Sequence, residues 1–361
     1  MGTMTLALAG DFVAIRSQSM PSGTALEAHA LLQASDLAIG NFEMALVEGG
    51  MPLEKTGVRR ADPAVGPTLG TIGFDILSVA NNHTVDYGWE GLRSTMQSLR
   101  DGGCTVVGGG STLDEAATPA VREVGGLRIG VLAYSCLTPA GARATADRPG
   151  IACIRVRTCY EIDPLIQIEE PGDPSAVLVR TSPVDEDLDD ALDRVRQLRT
   201  RCDHVVVSLH WGFGSGEDLA QYQEPLARTL IDAGASVIHG HHPHAVHGVG
   251  FHRRRPIFYS PGVYMAEQWS QPSSPVVMKM RTGMSKDGYV ARLQLQANDV
   301  TRVCLHPTVL DDAHQPTLAT GADFERIARR LARLSAPLGG HIAIDGEALV
   351  AMPAARADIQ R

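Results

Sequence analysis

Short apolar runs alternate with amphipathic stretches over the first two thirds of this chain. Runs of strand length predict β-strands at 4–10, 36–40, 74–80, 104–108, 127–134, 176–180, 204–210 and 235–239. Apolar positions spaced near 3.6 residues predict helices at 24–34, 88–101, 185–200, 218–233 and 322–335. The order β-α-β-β-α-β through the first half predicts an α/β sheet with covering helices. After residue 245 the pattern changes. Strand-like runs at 245–251, 256–260, 275–281 and 288–297, with a turn signal at Lys286, Asp287 and Gly288, predict a mainly antiparallel second sheet packed on the first. One and the same first sheet is expected to carry the strand before Asp11 and the strand before His210. The segment 138–175, rich in Pro, Gly and charge, is expected to be a surface excursion and candidate lid. It interrupts a single domain over 1–352, followed by a frayed tail at 353–361.

Composition narrows the function classes. The chain has 361 residues, enough to bury a sizeable core, and a net charge of −9. It shows no basic stripe, which argues against a nucleic-acid partner. The pairs and triplets Arg59, Arg60 and Arg253, Arg254, Arg255 read as solvated loops. Six cysteines form no CxxC pair and read as reduced, mostly buried thiols. The first ten residues lack a basic region and read as a strand rather than a signal peptide. No apolar run approaches the roughly 18 residues that span a bilayer. No membrane partner and a cytoplasmic location are therefore expected; oligomeric state is open.

The chemistry gathers after the apolar runs. His239, His241, His242 and His244 place four imidazoles within six residues, directly after the run ending at Ile238, and His247 and His252 follow. Imidazole binds transition metals and titrates near neutrality, so the cluster suits a metal site or acid–base chemistry. Other run ends deliver Gly10-Asp11, Gly40-Asn41-Phe42-Glu43, Ala80-Asn81-Asn82-His83 with Asp86, and His210-Trp211-Gly212. Each alone has an ordinary reading: Asp11 as a turn cap, His83 as a satisfied loop side chain. Together, at the carboxyl ends of strands, they converge on one expected pocket.

These blocks, with Gly240-His241-His242-Pro243-His244, resemble the CapA-like proteins of the calcineurin-type metallophosphoesterase superfamily, over about residues 5–265. The resemblance implies a four-layer αββα sandwich with the site at the strand ends. It also implies Asp11, Asn82, His210, His242 and His244 as metal-ligand candidates and His83 as the acid beside them. The chain departs from the pattern in several places. Val13 stands where Asp-x-His has its histidine, and Asn41-Phe42-Glu43 lacks the bridging Asp, with Glu43 a substitute. Tyr259-Ser260-Pro261-Gly262-Val263-Tyr264 replaces a Tyr-Ser-Leu-Gly-Asn-Phe block, and the acid after His-Trp-Gly is displaced to Glu217.

A CapA-like peptide epimerase of lasso-peptide biosynthesis is similar in size and in its altered motifs. It implies inversion at the Cα of a C-terminal Trp in a ribosomally made precursor peptide, with no cofactor required. On that leading reading Asp11 and His83 are the opposed acid/base pair, with Glu43 and His210 completing the catalytic set. Arg16 is the candidate grip on a peptide carboxylate. Trp211 and Tyr264 are the candidate apolar wall, and Asn82 and His241 further substrate contacts. Two other readings stay open: a hydrolase of phosphoesters or amides dependent on a divalent metal (Mn, Zn or Fe), and a non-catalytic protein that binds polymer or peptide.

Overall fold

The computed structural model describes residues 2–16, 25–214, 216–267, 274–280 and 282–355. Two mixed sheets dominate it. The first runs in the order Gly340–Asp345, Ala348–Pro353, Asp299–Leu310, Asp287–Gln296, Met4–Val13, Leu37–Phe42, Ile76–Ser78, Thr105–Val107. The second runs Val249–His252, Arg255–Phe258, Val237–His241, His204–His210, Leu127–Ser135, Ala120–Val124. Within each sheet the central strands are parallel: Met4–Val13 with Leu37–Phe42 in one, and His204–His210 with both of its neighbours in the other.

Side-chain alternation explains how the layers stack. Leu6 and Leu8 point into a buried cluster shared with Ile129, Val131, Val206 and Val237 of the other sheet. Ala7 and Ala9 point the opposite way, into a cluster with Leu92, Met96 and Leu99 of the helix Gly88–Asp101. Val205, Val207 and Leu209 likewise meet helices Asp185–Arg199 and Gln223–Ala233 on the outer face of the second sheet. Strands covered on both faces read as continuous apolar runs, which is why these were visible in the sequence.

Several expectations are corrected. The strands before Asp11 and before His210 lie in different sheets, so the site is built across the junction of the two rather than along one rim. The antiparallel strands of the second half do not form a separate sheet. Val249–His252 edges the second sheet, and Asp287–Gln296 and Asp299–Leu310 extend the first. Residues 275–280, expected as strand, form the short helix Pro275–Met280; residue 281 is outside the described residues. The run at 176–180 belongs to neither large sheet. Val177–Pro183 pairs with Val156–Ile162 in a two-stranded ribbon. The front of the expected excursion is tied down instead, with Arg143 and Arg155 both bonded to Asp187. Residue 353 closes a strand, and 356–361 lie outside the described residues. All six cysteines are unpaired. No helix among the described residues is long and apolar enough to cross a membrane.

Candidate active site

Asp11 is aimed by a break in its strand. The pairing register of Met4–Val13 shifts beside Asp11 with both Leu37–Phe42 and Val263–Ala266, and such bulges re-aim a side chain. Gly10 permits the close approach, since a Cβ there would lie 2.0 Å from the Gly262 carbonyl oxygen. The buried Asp11 carboxylate accepts from Asn41 Nδ2 at 2.8 Å and from the His242 amide at 3.0 Å. Asn81 fixes the next loop. Its Oδ1 accepts from the amides of His83 and Thr84, and its Nδ2 donates to the Phe42 carbonyl at 2.7 Å.

The second sheet supplies the imidazoles. His210 Nδ1 lies 2.9 Å from His241 Nδ1, and His210 Nε2 lies 2.8 Å from Asn82 Oδ1. His241 Nε2 meets Ser208 Oγ at 2.9 Å. Beyond the strand, His242 and His244 adopt positive φ values of 107° and 50°. Non-glycine residues seldom hold that backbone, and the strain clusters at sites where geometry is over-determined. His244 Nε2 thereby reaches Glu43 Oε2 at 2.9 Å and Asp11 Oδ2 at 3.6 Å.

His83 is set differently. Its Nδ1 bonds Asp86 Oδ2 at 2.8 Å, and Asp86 is itself held by Lys55 Nζ at 2.5 Å and the Arg59 amide at 2.7 Å. The anionic partner fixes the proton on Nδ1 and leaves Nε2, 4.0 Å from Glu43 Oε1, as the basic nitrogen. Burial lowers the His83 pKa below its usual value, opposed by Asp86. Burial likewise drives His210 and His241 well down and His242 to about 3, with neighbouring imidazoles adding to each. Asp11 moves the other way, up to about 8, through burial and then the charge of Glu43. The pocket is thus stocked with neutral imidazoles and crowded carboxyls.

That combination fits a cation. Three groupings bring ligand atoms within 4.8 Å of one another: Asp11, His210, His241; Glu43, His210, His242; and Asp11, Glu43, His244. His242 Nδ1 is buried without a hydrogen-bond partner among the described residues, a donor atom in want of an acceptor or ion. Of the five ligand candidates read from the sequence, Asp11, His210, His242 and His244 enter these groupings, and Asn82 Oδ1 touches His210. Glu43 and His241 join them.

A cavity opens over this cluster. Glu43, Asn82, His83, His242 and His244 form its polar lining; Val13, Val277, Met280 and Met284 its apolar lining; Arg59 completes it. The fully buried Asp11 and His210 lie behind that wall. The remaining sequence candidates are elsewhere. Trp211 stacks on Tyr259 at 5.5 Å and donates to its carbonyl, and Tyr264 packs edge-on against Phe12 and Phe74. Both are core residues, because their large faces are consumed by neighbouring aromatics, and neither walls the cavity. Arg16 binds Glu267 at 2.8 Å with its side chain largely exposed and does not line the cavity, whereas Arg59, read from the sequence as a solvated loop residue, does. Glu217 turns away to Arg333 at 2.7 Å. Lys55 and Arg59 carried no sequence signal, since an isolated cation in a polar loop looks like solvent-facing charge.

A buried imidazole–carboxylate cluster thus spans the two sheets, with a partly polar cavity at the strand ends. Residues 5–268 match the family model described as bacterial capsule synthesis protein PGA_cap, and the chain belongs to that family. It is 26% identical over 307 residues to the capsule biosynthesis protein CapA of Bacillus anthracis, covering 84% of this chain and 65% of that protein. An uncharacterized protein of Sinorhizobium fredii is 28% identical, covering 87% of this chain and 85% of that one. A probable polyglutamine synthesis accessory protein of Mycobacterium tuberculosis is 30% identical over 244 residues, 65% of this chain and 57% of its own length. The chain thus spans just under two thirds of the B. anthracis relative.

Proposed function

We propose that this chain is an acid–base enzyme that inverts the Cα of the C-terminal residue of a precursor peptide. The observation that carries the reading is His83. It is oriented by Asp86 and presents Nε2 at the wall of a cavity that also holds apolar side chains and an arginine. A peptide end needs those three things: a base at Cα, an apolar seat for its side chain, and a cation for its carboxylate. We read the helix–sheet–sheet–helix layering as the four-layer sandwich of calcineurin-type metallophosphoesterases.

The Cα–H of a peptide is a very weak acid, so the developing enolate needs strong electrostatic stabilisation. A divalent cation held by Asp11, Glu43, His210, His241, His242 and His244 would polarise the adjacent carbonyl or carboxylate oxygen and so acidify that hydrogen. His83 is neutral at pH 7, takes the Cα proton on Nε2, and shares the new charge with Asp86. Glu43 and His83 are too close together at 4.0 Å to bracket a carbon. The return proton therefore comes from water on the open side of the cavity, the hydroxide left behind is neutralised through solvent by the proton on His83, and the product carries one solvent hydrogen. Asn82 and Arg59 orient the peptide, and Val277, Met280 and Met284 exclude water from its side chain.

The joined ligand groupings favour a second reading, a cation-dependent hydrolase of phosphoesters or amides, since a pair of ions can clamp both oxygens of an in-line displacement. Heavy water separates the two. Epimerisation gives a one-dalton gain at one residue, a D-configured product and no mass loss. Hydrolysis gives a shortened product or released phosphate and leaves Cα unexchanged.

A further inference from the structure

The ribbon formed by Val156–Ile162 and Val177–Pro183 has one apolar face, and that face meets solvent. The register sets Tyr160 opposite Val179 and Ile162 opposite Val177, all on the same side by strand alternation. Their exposures are 73%, 54%, 57% and 48%. Leu165 and Ile168, on the helix Pro164–Glu169 at the ribbon's tip, are about as exposed. An isolated two-stranded ribbon is marginal in water, and a continuous exposed apolar patch marks an interaction surface.

Charge selects the occupant. The tip carries Asp163, Glu169, Glu170 and Asp173, while Glu161 is paired with Arg180 of the facing strand at 3.0 Å. The root is the reverse: Arg143, Arg148 and Arg155 line a surface depression beside Val156, and exposed Arg157 follows on the first strand. Acidic Asp187 and Glu186 balance part of that root, through Arg143 and Arg155. A ribbon negative at its tip, positive at its root and apolar between them complements a copy of itself turned end for end. We propose that the ribbon is the interface of a two-fold homodimer. Each acidic tip lies on the partner's basic root, and the Tyr160–Val179 faces pack together. Such an isologous contact uses one patch twice, the commonest symmetry of soluble oligomers. The surface is separate from the cavity and does not depend on what the cavity does.

Sedimentation and light scattering of the whole chain from about 1 to about 100 µM test this. The chain is expected to dimerise in that range, less so at high salt. Tyr160→Asp with Val179→Asp should weaken association at least about tenfold; both sites are exposed, so an unchanged circular dichroism spectrum and melting curve report an intact fold. Glu169→Lys with Glu170→Lys, and separately Arg148→Glu with Arg157→Glu, should each weaken self-association. An equimolar mixture of these two charge-reversed chains should recover a mixed dimer, because opposite charges then meet at both ends. A wild-type chain that stays monomeric throughout overturns the proposal, as does a dimer indifferent to all of these changes. A monomer that instead captures a foreign protein through the ribbon also overturns it.

Discussion

His210 and His241 face each other through their Nδ1 atoms at 2.9 Å, with Asp11 Oδ1 3.8 Å from the latter. Burial holds both rings neutral; His210 Nε2 donates to Asn82 Oδ1, so His210 Nδ1 accepts from His241 Nδ1 beside a buried carboxyl. The bare Asp11, with its pKa near 8, must give up a proton as a cation enters. Titration with Mn²⁺ or Zn²⁺ near pH 7 is therefore expected to release protons. Calorimetry in buffers of different ionisation heat measures this directly. Saturating metal should also raise the melting temperature, by about 2.7 kcal/mol of stability at a hundredfold excess over Kd. His210→Ala should abolish both signals.

The pairing of His83 with Asp86 makes a prediction that separates base from scaffold. His83→Gln should lower turnover by about 10²–10⁴-fold with KM nearly unchanged. Asp86→Asn leaves the ring in place but removes the charge that fixes its tautomer, so it should lose rate while retaining a pH dependence. Because burial lowers the His83 pKa, the acid limb of the wild-type rate profile should lie below pH 6.5. An acid limb above that value would exclude neutral His83 as the base.

Much of this site was legible because polar residues interrupted apolar runs. Asp11, Asn41, Asn81, His210 and His241 each follow or end a strand that the periodicity marked, and the fold brings them together. What periodicity does not carry is which strand pairs with which. The placement of Met4–Val13 and His204–His210 in separate sheets was therefore missed. Trp211 and Tyr264 were misplaced for a related reason: an aromatic beside a motif looks the same whether it faces a cavity or a core. Pro275–Met280 was read as a strand because Val276 and Val277 are β-branched. The helix holds only six residues, too few for a 3.6-residue period to show.

Gly240 separates His239 from His241 for a steric reason. A Cβ there would lie 2.2 Å from Trp211 Nε1 and 2.7 Å from the Phe258 carbonyl oxygen. Gly240→Ala must push the indole off its stack with Tyr259 and break its bond to that residue's carbonyl. The expected loss is about 1–3 kcal/mol, read as a lower denaturation midpoint with an unchanged denaturant slope. A midpoint within error of wild type would mean the strand shifts freely, and the rigid positioning of His241 would have to be abandoned.

Acid should destabilise the fold through histidines remote from the cluster. His29, bonded to Tyr264 at 2.5 Å, has its pKa lowered to about 4 by burial, and burial likewise lowers His306 to about 4. The unfolded chain binds these protons near pH 6.5 and the folded chain does not. Stability is therefore full above that pH and falls between about 6.5 and 4. One such shift is worth roughly 3 kcal/mol at its limit. Urea midpoints measured across that window should decline with falling pH, and His29→Gln should flatten the slope. Asp11 acts with the opposite sign, its raised pKa favouring the fold toward acid, so its removal should steepen the same decline.

Arg59 brings the substrate question to a single side chain. Its amide is fixed by Asp86 at 2.7 Å, its side chain is buried, and it lines the cavity beside His83. A guanidinium at the wall of that cavity is suited to a peptide carboxylate, and a charged hydrogen bond is worth about 1.5–3 kcal/mol. Arg59→Gln should therefore raise KM for a free-carboxylate peptide by about 10- to 100-fold, with kcat changed much less. Wild type should discriminate against the C-terminal amide of the same peptide by a similar factor, and Arg59→Gln should not discriminate at all. Equal KM values for acid and amide in the wild type would remove the carboxylate from recognition. They would leave His83 as a base acting on an internal residue, a result that solvent deuterium, located by fragmentation of the product, would confirm at that residue.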